Sequence, residues 1–298
     1  MILLILALPP LFAAEGRKPI AAAMNISEPG SYIVTHDIET TGGAINIGAD
    51  NVTIDLDGHT IASTGGTVFH ADGTTNIKIM NGQVSAYYLG VWFDTPGGNF
   101  AVEDLDITVT GTAGYGIVVW GTAASPAYAV IRRNVITRTT GSVNSGIYYE
   151  YCRGNIEDNK VTNFEYGIEL SYATNTFVQN NYCGGNAYGI GLSDSDYVIV
   201  KGNTVSDNTD TGLTLDTTSE YNTVKYNSAS GNATYGIYVG SNFNNLDHNT
   251  TACGAGTGLY VWGCGNIYSN NKAPGLCSFF DQTGCGPNPN VDGGGNTF

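Results

Sequence analysis

The sequence is poor in charged residues, and basic residues are especially scarce. Only 12% of the 298 residues are charged, and 11 Lys and Arg stand against 26 Asp and Glu, which gives a formal net charge of −15. This balance repels the phosphates of nucleic acids and the headgroups of anionic membranes, so we expect neither as a partner. One local basic cluster, formed by Arg132, Arg133 and Arg138, is too small to change that expectation.

Apolar runs long enough to span a membrane are also missing. The main apolar stretch is residues 1–14, in which Leu and Ile are followed by small residues. This stretch is too short to cross a bilayer and is typical of a secretory signal peptide, although the usual basic start is absent. We therefore expect a signal peptide in residues 1–14 and a secreted, extracellular or periplasmic protein. The alternative is a buried N-terminal strand or helix.

Cysteine occurs at only six positions, and no Cys-x-x-Cys pair is present, which argues against a structural zinc site. An even number of cysteines in an exported chain indicates disulfides, but the sequence leaves fifteen connectivities open. We expect at least two disulfides within the C-terminal group, which consists of Cys253, Cys264, Cys277 and Cys285. The state of Cys152 and Cys183 is left open.

Glycine, in contrast, is abundant and recurs with a fixed period. A Gly-Ile or Gly-Leu pair is repeated with spacings of 21 to 24 residues after a first interval of 30, starting at Gly116, Gly146, Gly167, Gly189, Gly212, Gly236 and Gly258. An asparagine keeps spacings of 22 to 25 residues, at Asn134, Asn159, Asn181, Asn203, Asn227, Asn249 and Asn271. Because the glycine pairs and the asparagines recur with the same period, they indicate a structural repeat of about two dozen residues.

Each repeat contains three short apolar runs, as in residues 189–192, 197–200 and 204–206. Such runs are too short for helices and favour β-strands. Three strands per repeat, stacked at ~4.8 Å, predict an all-β fold, namely a single-stranded right-handed parallel β-helix or solenoid of about nine or ten coils. We expect the Asn column in a tight turn, with Asn in the left-handed conformation and its amide bonded to neighbouring coils.

The repeat also divides the chain. Residues 43–272 are expected to form the β-helix, and residues 15–42 the N-terminal cap that a solenoid end needs. Residues 273–298 are rich in Gly, Pro, Asn and Cys and are expected to form a C-terminal cap. Leu105 stands where the column would place an asparagine, so residues 85–113 fit the repeat less well.

The motif Tyr-Gly-Ile-x-Leu, followed by Asn-x-Val/Thr-x-x-Asn, and the segment Val-Thr-Ile-Asp-Leu-Asp-Gly-His-Thr-Ile at residues 52–61 resemble the pectate-lyase-like superfamily. Within it, residues 30–272 are most similar to NosD-type β-helix repeats and to the carbohydrate-binding and sugar-hydrolase domain. The resemblance implies the β-helix fold and a saccharide groove on the first sheet. It implies no single activity, because the superfamily includes lyases, hydrolases, epimerases, tailspikes and adhesins. Four scattered His and three Met give no reason to expect copper handling.

The outward face of the first sheet is the candidate binding surface. If the Ile of each Gly-Ile pair points inward, strand alternation turns the residues one and three places later outward. The candidate substrate-binding residues on this aromatic, acidic face are Trp92, Asp94, Trp120, Tyr148, Asp216, Tyr238, Tyr260 and Trp262. Aromatic faces stack on sugar rings, which favours a polysaccharide as partner. Alternatively, the rings pack on one another and stabilise the sheet.

Glu150 and Glu169 are the candidate catalytic pair. They lie on neighbouring coils and are two residues out of phase, which places their Cα atoms ~8 Å apart. A general acid and a general base at this separation suit an inverting glycoside hydrolase. Gly191, next to Glu169 in the column, is expected to open a notch for a sugar. The alternative interpretation is a pair of solvated surface acids.

The sequence indicates no required cofactor, but a Ca²⁺ ion is a candidate ligand. Asp194, Asp196 and Asp216 fall on adjacent coils and are candidate Ca²⁺ ligands, with turn capping as the alternative.

Several catalytic signatures of the superfamily are absent. The Asp-Asp, Gly-His-Gly and Arg-Ile-Lys motifs of polygalacturonase-like hydrolases do not occur, nor does the Asp-Pro-His-Glu motif of mannuronan epimerases. Lyases of this fold use Arg or Lys, which the expected face lacks. The sequence therefore favours a secreted β-helix that binds a neutral or weakly charged polysaccharide, with cleavage by a hydrolase or lyase as a further hypothesis. A non-catalytic, adhesin-like solenoid is the alternative, and the oligomeric state is not indicated.

Overall fold

The computed structural model describes residues 16–141, 144–254, 256–273, 279–281, 285 and 287–298. These residues form 33 β-strands and no helix. The expected signal peptide, residues 1–14, lies outside the described residues.

The first third of the strands are β1 (Lys18–Ile20), β2 (Met24–Ile26), β3 (Gly30–Val34), β4 (Ile38–Thr40), β5 (Ile45–Ile47), β6 (Val52–Asp55), β7 (Thr60–Ser63), β8 (Phe69–Asp72), β9 (Ile77–Ala86), β10 (Leu89–Asp94) and β11 (Asn99–Val109). The middle third are β12 (Tyr115–Trp120), β13 (Ala127–Arg132), β14 (Val135–Arg138), β15 (Ser145–Glu150), β16 (Cys152–Glu157), β17 (Lys160–Thr162), β18 (Tyr166–Ser171), β19 (Thr176–Gln179), β20 (Tyr182–Gly184), β21 (Tyr188–Ser193) and β22 (Ile199–Lys201). The last third are β23 (Thr204–Ser206), β24 (Thr211–Leu215), β25 (Thr223–Lys225), β26 (Ser228–Asn232), β27 (Tyr235–Val239), β28 (Asn245–Asp247), β29 (Thr250–Cys253), β30 (Thr257–Val261), β31 (Ile267–Ser269), β32 (Phe279–Asp281) and β33 (Val291–Asp292).

These strands form three parallel sheets, because each strand pairs with the equivalent strand of the next coil. The first sheet contains β2, β5, β8, β10, β12, β15, β18, β21, β24, β27, β30 and β32. The second sheet runs from β1 and β3 to β31 and β33, and the third from β4 and β7 to β26 and β29. The long strands β9 and β11 turn a corner and pair in both of these sheets. The expected parallel β-helix is confirmed.

The solenoid is slightly longer than the nine or ten coils expected. Its first sheet has twelve strands within the described residues, and each coil contributes one strand. The additional strands come from segments expected to cap the ends, since β2 pairs with β5 and β32 pairs with β30.

The core is a set of stacked aliphatic columns inside the coils. On the first sheet, the Ile or Leu of each Gly-Ile pair follows one column, from Ile117 through Ile147 and Ile168 to Leu259, and every member is buried. Burying such a side chain stabilises the fold by about 1.5–3 kcal/mol relative to leaving it exposed. Strand alternation then fixes the neighbouring positions on the outer face.

The asparagine column forms a buried hydrogen-bonded ladder between the second and third sheets. Oδ1 of Asn159, for example, accepts hydrogen bonds from the backbone N–H and from Nδ2 of Asn134, each at 3.0 Å. The same pattern continues to Asn271, whose backbone N–H donates to Asn296. At the N-terminal end of the ladder, Leu105 has no side-chain amide, and its backbone N–H donates a hydrogen bond to Oδ1 of Asn134. The ladder therefore fixes the register of the coils that carry the first sheet.

The expectation that the ladder asparagines adopt the left-handed conformation is wrong. The left-handed residue is the one before each of them, as in Arg133 (φ 55°), Asp158 (φ 57°) and Asn180 (φ 55°). The preceding residue makes the turn, and the asparagine side chain can then point inward and bond to the next coil.

Each of the other two corners has its own polar ladder, which the sequence analysis did not detect. Asn186, Asn208 and Asn232 stack between the third and first sheets. Asn222, Asn244 and Asn266 stack between the first and second sheets. Both ladders cover fewer coils than the first, so their sequence periodicity is weaker.

The basic cluster does not present free positive charge. Glu103 contacts Arg132 at 3.1 Å and Arg133 at 3.5 Å, and Arg133 also donates two hydrogen bonds of 2.7 Å to Asp104. Arg138 is buried and donates to backbone carbonyls within the coils. These contacts tie the three arginines to neighbouring coils of the solenoid.

One of the expected C-terminal disulfides is confirmed. Cys264 and Cys285 are bonded and close a segment with a sequence separation of 21. Cys277 and the side chain of Cys253 lie outside the described residues. Cys152 and Cys183 are free and buried, and burial raises the pKa of the Cys152 thiol to about 12.

Candidate functional site

The first sheet presents two parallel columns of outward side chains, which together we call the first-sheet face. One column contains the register partners Trp92, Val118, Tyr148, Glu169, Gly191, Thr214, Tyr238, Tyr260 and Phe280. The second contains Asp94, Trp120, Glu150, Ser171 and Ser193. Among the described residues, no strand of this sheet carries a Lys or Arg, so the face has acidic but no basic side chains.

Glu169 lies at the centre of the face and is partly buried. The hydroxyl of Ser145, on the preceding coil, donates a hydrogen bond to Glu169 Oε2. Burial raises the pKa of Glu169, and the neighbouring carboxylates of Glu165 and Glu150 raise it further, while the Ser145 hydrogen bond opposes this. Glu169 therefore has the environment of a carboxyl that holds its proton more strongly than a free glutamic acid does.

Glu150 lies diagonally across from Glu169. Tyr148 pairs with Glu169 and Glu150 pairs with Ser171, so the two carboxyl groups are one coil and two residues apart. The hydroxyl of Tyr148 donates to Glu150 Oε2 at 3.3 Å. Together with Glu165, these two residues form what we call the carboxylate cluster.

Tyrosines surround the carboxylate cluster. Burial raises the pKa of Tyr148 and Tyr115, and the charges of Glu150 and Glu169 add to the effect. Burial raises the pKa of Tyr166 to about 12, and the charge of Glu169 adds to the effect. These phenols stay protonated at neutral pH and are available as hydrogen-bond donors.

The notch expected at Gly191 is not present. A Cβ atom placed on Gly191 would lie 2.8 Å from Cε1 and 2.9 Å from Cδ1 of Tyr166. The ring of Tyr166 therefore covers the glycine and also stacks on Tyr188, with 4.8 Å between ring centroids. The glycine makes room for a tyrosine of the protein, and the expectation of an open sugar notch there is wrong.

On the N-terminal side of the carboxylate cluster, the face carries an aromatic group formed by His70, Trp92 and Trp120. His70 stacks on Trp92 with 4.3 Å between ring centroids, and Trp120 meets Trp92 nearly edge-on at 5.3 Å. Trp120 is 36% exposed. Because its ring contact with Trp92 is edge-on, Trp120 is well placed to offer a surface for stacking.

A second aromatic group lies on the C-terminal side. Tyr260 stacks on Tyr238 at 5.6 Å and on Phe280 at 4.5 Å, with interplanar angles of 16° and 11°. Rings stacked in this way cover each other's faces, which supports the packing alternative for Tyr238 and Tyr260. Trp262 lies beside the stack, nearly parallel to Tyr260 at 6.4 Å, and is 47% exposed.

The three aspartates expected as Ca²⁺ ligands do not form a ligand group. Asp216 accepts hydrogen bonds from Ser193 at 2.8 Å and from the hydroxyl of Ser219 at 2.9 Å, which holds its own turn. Asp196 accepts from the backbone N–H of Glu220 at 2.7 Å. Among the described residues, no group of three or more His, Cys, Asp or Glu side chains is arranged to hold a metal ion. The geometry of Asp196 and Asp216 agrees with turn capping.

The tripeptide Asn208-Thr209-Asp210 matches the Asn-Thr-Asp motif of polygalacturonase-like hydrolases, but its asparagine does not face solvent. Asn208 is 1% exposed and belongs to the ladder between the third and first sheets. Asp210 accepts a hydrogen bond from Tyr188 at 3.1 Å. The tripeptide is therefore part of a corner of the solenoid, next to the carboxylate cluster.

A depression at the N-terminal end of the same sheet was not predicted from the sequence. Its volume is about 520 Å³, and its lining includes Met24, Asn25, Asn46 and His70. Asn25, Asn46 and His70 are register partners that lead directly to Trp92. Strand alternation places these three residues on the outer face when it is applied to residues 24–26 of the expected N-terminal cap and to the first two expected coils.

No helix within the described part of the chain is long and apolar enough to cross a membrane.

Solved structures with the same fold include enzymes and a tailspike. The A-module of the Azotobacter vinelandii mannuronan C-5 epimerase AlgE6 superposes with a TM-score of 0.68 at 14% identity, covering 90% of this chain and 91% of that one. For the Dettilon tailspike protein, the TM-score is 0.66 at 15% identity, and the coverage is 88% and 60%. For the periplasmic alginate epimerase AlgG, the TM-score is 0.53 at 17% identity, and the superposition covers 87% of this chain and 68% of that one. At such identities, the similarity shows the fold alone.

No curated protein matches the sequence. The family described as "Right handed beta helix region" matches residues 115–273, which is more than half of the chain, and the protein therefore belongs to this family of right-handed β-helices.

Proposed function

We propose that the protein binds an uncharged or weakly charged polysaccharide along the first-sheet face. The observation that carries this proposal is the order of chemical groups along one straight face: an aromatic group, the carboxylate cluster, and a second aromatic group. An extended polymer that lies along the solenoid axis meets all three. Exposed aromatic surface and half-buried polar groups in one continuous strip are typical of a contact surface for a ligand with both apolar and hydroxyl-bearing sides.

The charge of the face determines which glycans fit. Glu150, Glu165 and Glu169 stand in one cluster, and the strands of the first sheet provide no Lys or Arg. A polyuronate would bring a carboxylate on each sugar unit toward these groups and would be repelled. Although structures of similar fold include epimerases of mannuronan and alginate, the face of this protein favours a polymer without such charges.

We further propose that Glu169 and Glu150 hydrolyse a glycosidic bond of this polymer. Glu169, whose pKa is raised by burial and neighbouring carboxylates, is suited to be the general acid, and Glu150 to be the general base. Their diagonal placement on neighbouring coils puts their Cα atoms ~8 Å apart, which allows the separation between carboxyl groups that inverting enzymes use. The hydroxyl of Tyr148 orients Glu150, and Ser145 orients Glu169.

A non-catalytic, adhesin-like solenoid is the second candidate function. The ring stack of Tyr238, Tyr260 and Phe280 supports it, because rings that cover each other need no ligand to explain them. In this case the carboxylates would serve only in binding, and no glycan would be cleaved.

The Cys264–Cys285 disulfide supports a location outside the cytosol, since disulfides persist in oxidising compartments. We propose that the protein is secreted or periplasmic, where polysaccharides of cell surfaces are accessible.

A binding and product screen tests the proposed function. The purified protein is titrated with a panel of uncharged and polyuronate polysaccharides, and reducing ends and unsaturated products are then assayed. Tyr148→Ala should weaken binding of an uncharged glycan, whereas Tyr128→Ala should not, because Tyr128 is an exposed tyrosine that lies on the second sheet, away from the first-sheet face. Glu150→Gln and Glu169→Gln should each abolish hydrolysis and retain binding, since an amide keeps the shape and loses the proton chemistry.

The outcomes separate the two candidates. If the wild type and both Gln variants bind a glycan and none of them forms a product, the adhesin-like solenoid is supported. Hydrolysis that survives both substitutions would place the reaction elsewhere. Tight binding of a polyuronate in the absence of divalent cations would contradict the charge argument.

A further inference from the structure

The depression at the N-terminal end of the first sheet has the features of a separate binding site. It is formed where β2, β5 and β8 follow one another, and its volume of about 520 Å³ falls in the range of small-molecule sites. Met24, which is 36% exposed, and Ala44 contribute apolar surface. Among the described residues that line it, none is an Asp, Glu, Lys or Arg.

Two of the polar side chains of the depression are amides that have no hydrogen-bond partner among the described residues. Asn25 and Asn46 are register partners on adjacent coils, and both are exposed. Within the described part of the chain, neither side-chain amide makes a hydrogen bond, whereas the ladder asparagines use both their oxygen and their nitrogen. An amide offers two donors and an acceptor that takes two bonds, which matches adjacent sugar hydroxyls that donate and accept at the same time.

The depression is also continuous with the face already described. His70 pairs with Asn46 on one side and with Trp92 on the other, and its ring stacks on Trp92. From Asn46 to Glu169 there are five coil steps, which at the coil spacing amounts to roughly 24 Å. A glycan that lies over the carboxylate cluster can therefore enter the depression only if it is long enough to span that distance.

We propose that this depression, the N-terminal subsite, binds an uncharged sugar unit of the same polysaccharide chain through the amides of Asn25 and Asn46. The inference rests on the proposed function and extends it. The two sites differ in chemistry: the carboxylate cluster is acidic, while the described lining of the N-terminal subsite contains no carboxylate, Lys or Arg and tolerates any sugar that presents neighbouring hydroxyls. Its role is to select chains by length, since two connected sites act on one ligand.

A length series of oligosaccharides tests the N-terminal subsite. Uncharged β-1,4-linked oligosaccharides of glucose, mannose, xylose and N-acetylglucosamine, from disaccharides to octasaccharides, are titrated calorimetrically into the wild type and into the Asn25→Ala/Asn46→Ala double variant. The wild type should bind long chains more tightly than short ones. The double variant should bind long chains about tenfold more weakly than the wild type, because it loses hydrogen bonds from two amides, and short chains equally well.

Controls keep the two proposals distinguishable. Because both asparagines are exposed, thermal melting of the double variant should match that of the wild type, and Tyr148→Ala should weaken long and short chains alike. If the wild type binds a series and the double variant matches it at every length, the N-terminal subsite is refuted and the proposed function stands. If the double substitution weakens the binding of short chains as strongly as that of long ones, a separate subsite is also refuted. If the wild type binds no series, the proposed function fails and the subsite with it.

Discussion

The buried asparagine ladder should contribute strongly to stability, and Asn203 is the residue at which this is best tested. Oδ1 of Asn203 accepts from the backbone N–H of Asn181 at 2.9 Å and from its Nδ2 at 3.0 Å. Nδ2 of Asn203 donates to the carbonyl of Val178 at 2.9 Å and to Asn227 at 3.0 Å. Asn203→Ala removes all four hydrogen bonds from a site that is 1% exposed.

The expected cost follows from the groups left behind. The backbone N–H of Asn181 loses the acceptor that Asn203 provides, and a buried polar group without a partner costs about 1–3 kcal/mol. The remaining lost hydrogen bonds are worth about 0.5–1.5 kcal/mol each. We therefore expect the free energy of unfolding to fall by about 4 kcal/mol, a large part of the stability of an ordinary domain.

Urea unfolding followed by circular dichroism measures this change, and amide hydrogen exchange at Asn181 reports it locally. The matched control is Asn245→Ala, because Asn245 is exposed and its side chain makes no hydrogen bond within the described residues. The control should stay within about 0.5 kcal/mol of the wild type. If Asn203→Ala were as mild as the control, the ladder would not hold the coils together and the reasoning would be refuted.

Three further changes have defined outcomes. Burial raises the pKa of Glu169 in the folded state, so the ionised carboxylate destabilises the folded protein at neutral pH. Glu169→Gln should therefore raise the melting temperature at neutral pH, but not in acid below the pKa of the unfolded state. Desolvation raises the pKa of Asp247, but three hydrogen bonds outweigh it and lower the pKa to about 2. The ionised carboxylate therefore stabilises the fold above the unfolded pKa, and this stability is lost as the pH falls from about 4 to 2. Asp247→Asn should remove this pH-dependent stability, which is measured by thermal melting at a series of pH values. Replacing Cys264 and Cys285 with serine should lower the free energy of unfolding by about 3 kcal/mol, measured by urea unfolding against the wild type, and reductant should then have no effect at this bond.

The parts of the fold that sequence could predict are those set by strict periodicity. A β-strand alternates its faces with a period of two, so one inward Ile per coil was enough to place Trp92, Tyr148 and Glu169 in one outward column. The longest ladder was visible because Asn134 and its successors recur on many coils.

The parts that sequence could not predict depend on contacts between side chains of neighbouring coils. Tyr166 covers Gly191 because its ring leans across one coil, and column membership does not encode that direction. Asp216 uses its oxygens for its own turn, so proximity in sequence to other aspartates did not make a cation site. The left-handed residue precedes the ladder asparagine, since one residue must turn before the next can point inward.

The most direct test of the central claim is a titration of the protein with polysaccharides while its intrinsic tryptophan fluorescence is recorded. The sequence contains three tryptophans; Trp92 and Trp120 lie on the first-sheet face, and Trp262 lies beside Tyr260 and Phe280 of that face. An uncharged polysaccharide that binds there should produce a saturable change in emission, and a polyuronate should produce none. If a glycan binds, as shown by calorimetry, and leaves the tryptophan emission unchanged, the binding surface is not the first-sheet face and the account is contradicted.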